Sequence, residues 1–231
     1  MPETLKNLVL LHGALGSREQ MESLKNILSN EYRILNPDLF GHGLLSEMHH
    51  DFGIPLMAHD LEKFLTENEL TNVHVFGYSM GGYVALFHNI LYPDRINKII
   101  CLGTKFHWTP LFAAHETQNL KPSWLSENAP KFAQLLQKRH GDFWSQMVNQ
   151  TAQMMLNLGE QPLLDNLLLS KVKASCLILR GDQDTMVNAE ETQWAARCIP
   201  KAVTGIVEQS PHAIEKVDLT KMIKFMDFFK D

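Results

Sequence analysis

The apolar positions of the chain fall into six short, dense runs. Each run is four or five residues long and lacks a clean alternation of apolar and polar residues. That pattern is typical of strands in a parallel sheet that is covered on both faces. We therefore predict strands over residues 8–11, 32–36, 73–76, 98–102, 176–179 and 203–207.

The stretches between most of these runs have the spacing of helices. Their apolar residues recur three and four positions apart, as on one face of an α-helix. The predicted helices cover residues 17–29, 55–69, 81–92, 189–198 and 213–230. Strands that alternate with helices indicate an α/β fold with a doubly wound, mostly parallel sheet of about six strands.

One long segment, residues 104–173, breaks this alternation. It contains no strand-like run, and prolines and glycines such as Pro110, Pro130 and Gly141 divide it into short helical stretches. Many of its apolar residues are Phe, Trp or Met. We interpret the segment as a helical cap over the carboxyl edge of the sheet, inserted into a core domain formed by residues 1–103 and 174–231.

Composition narrows the class of protein. Hydrophobic residues make up 45% of the 231 residues and charged residues 20%, which is ordinary for a soluble globular enzyme. The formal charge of −5 gives no reason to expect a nucleic-acid partner. No apolar stretch approaches the roughly 20 residues of a membrane span, and no signal peptide is recognisable. We therefore expect a cytoplasmic protein without a membrane partner, and the oligomeric state stays open.

The cysteines are too scattered to suggest a metal site. Cys101, Cys176 and Cys198 are far apart along the chain, and two of them lie within predicted strands. Such spacing does not match a zinc motif, and an odd number of cysteines in a cytosolic protein favours reduced packing residues. We expect neither a metal ion nor another cofactor.

The strongest chemical signal is a serine flanked by glycines, in the sequence Gly77-Tyr78-Ser79-Met80-Gly81. A predicted strand precedes it and a predicted helix follows, which is the setting of the G-x-S-x-G nucleophile elbow. This turn pushes the serine hydroxyl out at the end of the strand, and it is so tight that both flanking positions lack room for a β-carbon. We predict that Ser79 is a nucleophile.

A nucleophilic serine needs a base and an acid that orients the base. Among the 11 histidines, His212 is best placed, because it follows the last predicted strand and so lies at the same edge of the sheet as Ser79. Two acids, Asp182 and Asp184, follow the strand predicted at 176–179. Either carboxylate could fix the imidazole tautomer, so the residues alone leave both open.

The segment after the first predicted strand is a candidate oxyanion loop. The strand runs into His12-Gly13-Ala14, where the chain can turn a backbone amide toward the serine. We expect the N–H groups of Ala14 and Met80 to stabilise the charge that develops in the transition state. A phosphate-binding loop is the alternative, but the segment lacks both the G-x-G-x-x-G spacing and the Lys-Ser/Thr ending of a P-loop.

Taken together, these motifs resemble the α/β-hydrolase superfamily. The matching segments are His12-Gly13, Asp38-Leu39-Phe40-Gly41-His42-Gly43, Gly77-Tyr78-Ser79-Met80-Gly81-Gly82, Gly181-Asp182-Gln183-Asp184 and Ser210-Pro211-His212. The resemblance selects Asp184, since family members usually carry the acid three residues after this glycine. The chain order Ser79, Asp184, His212 is also that of the family.

The resemblance covers nearly the whole chain except the segment 104–173, which looks like the family's variable cap. One departure concerns the first strand. Family members often begin with a two-stranded hairpin, and only seven residues precede Leu8. We therefore expect that hairpin to be absent and one edge of a six-stranded sheet to be exposed.

The resemblance implies a serine hydrolase that cleaves a small carboxylic ester, or a related acyl compound, through an acyl-enzyme. Serine at the elbow argues against the family's haloalkane dehalogenases and epoxide hydrolases, which have aspartate there. The bulky side chains of the cap suggest a small-molecule substrate with an apolar group. We predict Trp108 and Met147 as walls of its pocket.

Two other functions stay open. The elbow also resembles that of the menaquinone-pathway synthase, a lyase that eliminates pyruvate from an anionic substrate. Tyr83 stands where that family tends to have arginine, however, and Arg139 is the only arginine in residues 104–173. A non-catalytic ligand-binding protein of the same fold is the third possibility, although a complete triad argues against it.

Overall fold

Six parallel strands form one sheet at the predicted positions. The computed structural model describes residues 5–46 and 52–230. Within these, the strands are β1 (Lys6–Leu11), β2 (Tyr32–Leu35), β3 (Val73–Tyr78), β4 (Ile96–Leu102), β5 (Ser175–Gly181) and β6 (Ala202–Val207). Their order is β2-β1-β3-β4-β5-β6, and each neighbouring pair is parallel. The doubly wound α/β fold is thereby confirmed.

Helices cover both faces of this sheet. They are α1 (Glu22–Leu28), α2 (Ile54–Glu67), α3 (Met80–Leu91), α4 (Pro110–Thr117), α5 (Pro122–Asn128), α6 (Pro130–His140), α7 (Trp144–Glu160), α8 (Asn166–Leu169), α9 (Ala189–Cys198) and α10 (Leu219–Ile223). In β1, Val9 and Leu11 pack with α2 and α3, whereas Leu8 and Leu10 pack with α1 and α10 on the opposite face. Burial on both faces explains why the four inner strands are apolar without alternation, whereas the edge strands β2 and β6 are partly exposed.

The strand order creates a crevice where β1 and β3 lie side by side. The chain leaves β1 for β2 on one side and leaves β3 for β4 on the other. At such a switch point of an open α/β sheet, the loops beyond the carboxyl ends diverge, and ligands bind between them. These two loops are the ones that carry Ala14 and Ser79.

Between β4 and β5 the described chain contains helices and no strand. Residues 104–173, called the cap segment below, hold α4 to α8. Pro110, Pro122 and Pro130 each stand at the start of a helix, where the missing N–H of proline costs nothing. No helix in the described part of the chain is long and apolar enough to span a membrane.

The last predicted helix differs from the structure. Residues 213–230 form a 3₁₀ turn (Ile214–Lys216), α10 and a second 3₁₀ segment (Lys224–Phe229) instead of one helix. The reason is local. Val217 has an extended backbone, and the Asp218 side chain caps α10 by accepting from the N–H of Thr220. A capping aspartate restarts the helix within an apolar pattern that continues through the break.

Candidate active site

Ser79 occupies the sharp turn between β3 and α3. Its φ of 50° and ψ of −112° lie in a region that residues other than glycine rarely adopt. Two hydrogen bonds hold this strained conformation. The Ser79 N–H donates to the carbonyl of Leu102 at 2.8 Å, and the Thr104 hydroxyl donates to the Ser79 carbonyl at 3.0 Å. A β-carbon at Gly77 would collide with the backbone of Gly82, so the turn requires glycine there.

The structure brings Ser79, His212 and Asp184 together. The Nε2 atom of His212 lies 3.3 Å from Oγ of Ser79, and its Nδ1 atom lies 2.8 Å from Oδ2 of Asp184. With the Nδ1 proton donated to the carboxylate, Nε2 is left to accept the serine proton. The longer of the two distances is common for a catalytic pair before substrate binds.

Asp184 is held as a buried carboxylate. Its side chain is 1% exposed, against 21% for that of His212. Its Oδ1 atom accepts from the N–H groups of Met186 and Val187 at 2.8 and 2.9 Å. Burial by itself raises the pKa of Asp184, but hydrogen bonds from His212 and these two amides outweigh it and hold the pKa below its ordinary value.

Asp182 has different contacts. Its Oδ1 atom accepts from the N–H of Ser210 at 3.1 Å. Hydrogen bonds from the backbone of Gln209 and Ser210 lower the pKa of Asp182, and the residue is exposed. Asp182 therefore supports the loop that leads to His212, and the geometry favours Asp184 as the acid beside the imidazole.

Two backbone amides next to Ser79 are available to a ligand. Ala14 and Met80 both border the cavity beside the serine. In the described chain, neither N–H is used in a hydrogen bond. Met80 is the first residue of α3, so its amide belongs to the positive end of the helix dipole. This placement suits the oxyanion hole predicted from the sequence.

A cavity adjoins the serine and opens to solvent, with a space of about 370 Å³ that includes its solvent-filled mouth. Its walls are mostly apolar and include Ile54, Tyr83, Trp108, Met154, Leu158 and Met186. The structure thus places Trp108 where the sequence predicts a pocket wall. The cavity lies between the switch-point loops and the cap segment.

Met147 does not line this cavity, so its prediction as a pocket wall needs correction. It is fully buried among Leu125, Leu136 and Val148, in a cluster internal to the cap segment. Met154 lies on the same face of α7, but seven residues correspond to roughly 10 Å along a helix axis. Only the second half of α7 passes over the serine, and Met154 and Met155 contribute there instead.

Lys105 is a site residue that the sequence analysis missed. It borders the cavity, and its ammonium group donates to Oε1 of Glu191 at 2.8 Å and to the carbonyl of Met186 at 3.1 Å. The same ammonium lies 3.9 Å from the centroid of the Phe112 ring. The feature of the sequence that could have indicated it is the presence of a lysine three residues beyond the end of β4. Its charge is balanced inside the protein by a fully buried carboxylate.

Comparison with known proteins agrees with this architecture. The sequence model of the alpha/beta hydrolase fold matches residues 6–202, and the chain belongs to the α/β-hydrolase family. Esterase YbfF of Escherichia coli strain K12 is 33% identical over 95 residues, which cover 41% of this chain and only 37% of the esterase. Lipase 1 of Psychrobacter immobilis is 24% identical over an alignment that covers 92% of this chain and 74% of the lipase.

Solved structures share the fold at lower identity. A thermophilic esterase from Thermogutta terrifontis superimposes with a TM-score of 0.77 at 22% identity, covering 98% of this chain and 89% of that one. The esterase EaEST of Exiguobacterium antarcticum gives a TM-score of 0.75, also at 22% identity, with 98% and 91% covered. At this level of identity the likeness establishes the fold.

Proposed function

We propose that the protein is a serine hydrolase that cleaves small carboxylic esters through an acyl-enzyme intermediate. The observation that carries the proposal is the chain of contacts from Ser79 through His212 to Asp184, placed at an apolar cavity. The esterases and lipases among its relatives support the same class of reaction.

In the first half of the reaction, Oγ of Ser79 attacks the ester carbonyl carbon while Nε2 of His212 takes the hydroxyl proton. The imidazolium that forms is stabilised by the Asp184 carboxylate. Negative charge moves onto the carbonyl oxygen, where the N–H groups of Ala14 and Met80 can donate to it. Removing one such donor typically costs about 3 kcal/mol in barrier height.

The intermediate then expels the alcohol. The bond between the carbonyl carbon and the alkoxy oxygen breaks, and the leaving oxygen takes the proton from Nε2 of His212. A water molecule next attacks the acyl-enzyme, with His212 accepting its proton. Collapse of the second intermediate releases the carboxylic acid and returns the proton to Oγ of Ser79.

The cavity supports an uncharged, apolar acyl group as the bound part of the substrate. Trp108, Met154 and Leu158 offer apolar surface. The one lysine on this wall, Lys105, already has Glu191 as its counter-ion. An anionic substrate would gain little from a cation that is neutralised by a buried partner.

This arrangement also argues against the lyase alternative. Arg139 lies 3.7 Å from Glu215 and does not line the cavity, so it is not placed to bind a substrate carboxylate there. Two assays separate the functions. Release of p-nitrophenol from short esters supports ester hydrolysis, whereas pyruvate release from an anionic diene precursor supports the lyase.

A fluorophosphonate probe tests the proposal directly. We expect the probe to label the wild-type protein at Ser79 and to leave Ser79→Ala unlabelled. Ser126→Ala, an exposed serine of α5, is the matched control and should be labelled normally. A panel of p-nitrophenyl esters graded by acyl length then measures turnover. Folded wild-type protein that neither reacts with the probe nor hydrolyses any ester of the panel would contradict the proposed function.

A further inference from the structure

The end of helix α6 is tied to the loop that carries Ala14. His140 is the last residue of α6 and is buried. Its Nδ1 atom accepts from the N–H of Gly43 at 2.9 Å, which leaves the ring proton on Nε2. The Nε2–H group donates to the carbonyl of Leu15 at 3.2 Å. A residue of the cap segment thereby bridges two loops of the sheet edge.

Leu15 is a position that needs such support. Its φ of 60° lies in the left-handed region, which is unfavourable for a branched residue. Its side chain packs against the apolar cluster inside the cap segment. Leu15 directly follows Ala14, so a change in its backbone would redirect the Ala14 amide as well.

A second chain of contacts reaches the other side of Ala14. Arg139 lies 3.7 Å from Oε1 of Glu215, which accepts from the Gln20 amide nitrogen at 2.9 Å. The Gln20 side-chain oxygen in turn accepts from the N–H of Gly13 at 3.0 Å. The end of α6 therefore constrains both neighbours of Ala14, one directly through His140 and one through Glu215 and Gln20.

The surroundings of His140 favour its neutral ring. The His42 ring lies 5.8 Å away between centroids, and His12 contacts His42 in turn. Burial lowers the pKa of His140, despite its hydrogen bond to Leu15. Among residues 5–46 and 52–230, no group of three or more His, Cys, Asp or Glu side chains could hold a metal. The ring is thus available as a hydrogen-bonding bridge.

We propose that His140 is a positioning residue that holds the oxyanion loop in its catalytic conformation, so that turnover requires the cap segment to be seated on the core. The inference rests on the proposed function, in which the Ala14 amide stabilises the oxyanion. It assigns the cap segment a part in rate acceleration in addition to substrate selection.

Three substitutions separate the two contacts of the ring. His140→Phe removes both. In His140→Gln the side-chain amide nitrogen can take the place of Nε2 and donate to Leu15, whereas in His140→Asn the amide oxygen can take the place of Nδ1 and accept from Gly43. We expect His140→Phe to lower kcat about 30-fold with KM within about twofold, since part of one oxyanion donor is lost. His140→Gln should recover most of that loss and His140→Asn little.

His115→Phe is the matched control, because His115 is an exposed histidine of the cap segment. We expect it to leave kcat unchanged. The proposal is overturned if His140→Phe keeps wild-type kcat, or if the Gln and Asn variants lose kcat equally and in proportion to their melting temperatures. The Gln and Asn comparison decides the question even if His140→Phe does not fold.

Hydrogen exchange provides a readout that is independent of turnover. Backbone amides of residues 12–16 should exchange roughly tenfold faster in His140→Phe than in wild type or His115→Phe. Unchanged exchange in a folded variant overturns the proposal. A wild-type protein without Ser79-dependent ester hydrolysis refutes the proposed function instead, and the exchange measurement still decides whether His140 orders this loop.

Discussion

The carboxyl edge of the sheet and the cap segment contribute to the site in different ways. At the edge, each candidate catalytic group follows a strand: Ala14 follows β1, Ser79 follows β3, Asp184 follows β5 and His212 follows β6. In the cap segment, helices supply apolar surface, and only the parts that pass over the serine reach the cavity. The positions of the candidate catalytic groups are therefore set by strand ends, whereas the positions of the apolar pocket walls are set by helix length and packing in the cap segment.

Replacing each of the two acids by its amide tests which carboxylate orients His212. We expect Asp184→Asn to lower kcat for p-nitrophenyl esters about 10⁴-fold, because the amide favours the wrong imidazole tautomer. Asp182→Asn should cost about tenfold or less, since Asp182 supports the backbone of Gln209 and Ser210 and does not contact His212. If the ranking of the two variants is reversed, the acid has been assigned to the wrong residue.

The boundary between the two regions depends on a buried ion pair. Glu191 accepts from Lys105 and from the backbone N–H groups of Phe106 and His107. Glu191→Gln leaves the Lys105 ammonium buried without its counter-ion, so we expect a loss of about 3–5 kcal/mol in the free energy of unfolding, measured by denaturant titration.

Two further variants serve as controls for this ion pair. The exposed neighbour, Glu190→Gln, should change stability by less than about 0.5 kcal/mol. The double variant Lys105→Met/Glu191→Gln should be more stable than the sum of its single changes indicates, because it buries no unpaired charge. Strict additivity would show that the two side chains do not act as a pair.

Variants of two methionines on α7 distinguish a packing role from contact with the substrate. We expect Met147→Ala to cost about 2–5 kcal/mol in stability and to leave acyl selectivity unchanged, because Met147 packs inside the cap segment. Met154→Ala should enlarge the cavity and raise kcat/KM about tenfold for esters with two or three more acyl carbons. Equal selectivity profiles for the two variants would remove Met154 from the acyl pocket.

The smallest expected effect is on the pH dependence of stability, and it comes from a residue outside both regions. Burial, with smaller effects from Lys6 and Lys98, lowers the pKa of His74 to about 4 from an ordinary 6.5. The unfolded chain therefore binds a proton below pH 6.5 that the folded protein does not, and stability falls as pH drops toward 4.

Replacing this histidine should flatten the acid side of the stability curve. The His74 ring stacks on Phe229 at 5.1 Å, so His74→Phe can keep the contact and lose the titration. We expect the variant to lose about 1–2 kcal/mol less than wild type between pH 7 and pH 5, measured from denaturant midpoints. A stability curve parallel to that of wild type would show that the pKa of His74 does not differ between the folded and unfolded states.

The same comparison explains what could be predicted from sequence. The four inner strands are predictable because burial on both faces leaves a dense apolar run. The edge strands β2 and β6 are partly exposed, but each still keeps a short apolar run. The loops after the strands carry recognisable turn residues. The candidates Ser79 and His212 follow from those strand ends, whereas the choice of Asp184 over Asp182 comes from the resemblance to the α/β-hydrolase superfamily. The prediction of one helix over residues 213–230 is wrong, because the apolar spacing continues past Asp218, whose side chain caps the start of α10.

Contacts between residues that are far apart in the chain leave no recognisable pattern in the sequence. Lys105 and Glu191 are 86 residues apart, and His140 and Leu15 are 125 residues apart. Lys105, Glu191 and His140 are ordinary polar residues in their local sequence and Leu15 is an ordinary apolar one, and only the packing of the cap segment on the sheet edge brings the pairs together. Met147 and Met154 have the same helical phase, so their spacing could not show which half of α7 lies over the serine.

The start of the cap segment bears on how this protein could be recombined with others. The Thr104 hydroxyl holds the carbonyl of Ser79, and the amides of Phe106 and His107 are fixed by Glu191. These first residues of the segment are therefore bonded to the elbow and to α9. A chimera that receives a foreign cap from residue 108 onward keeps the bonds that shape the nucleophile turn, whereas a graft that begins at residue 104 discards them.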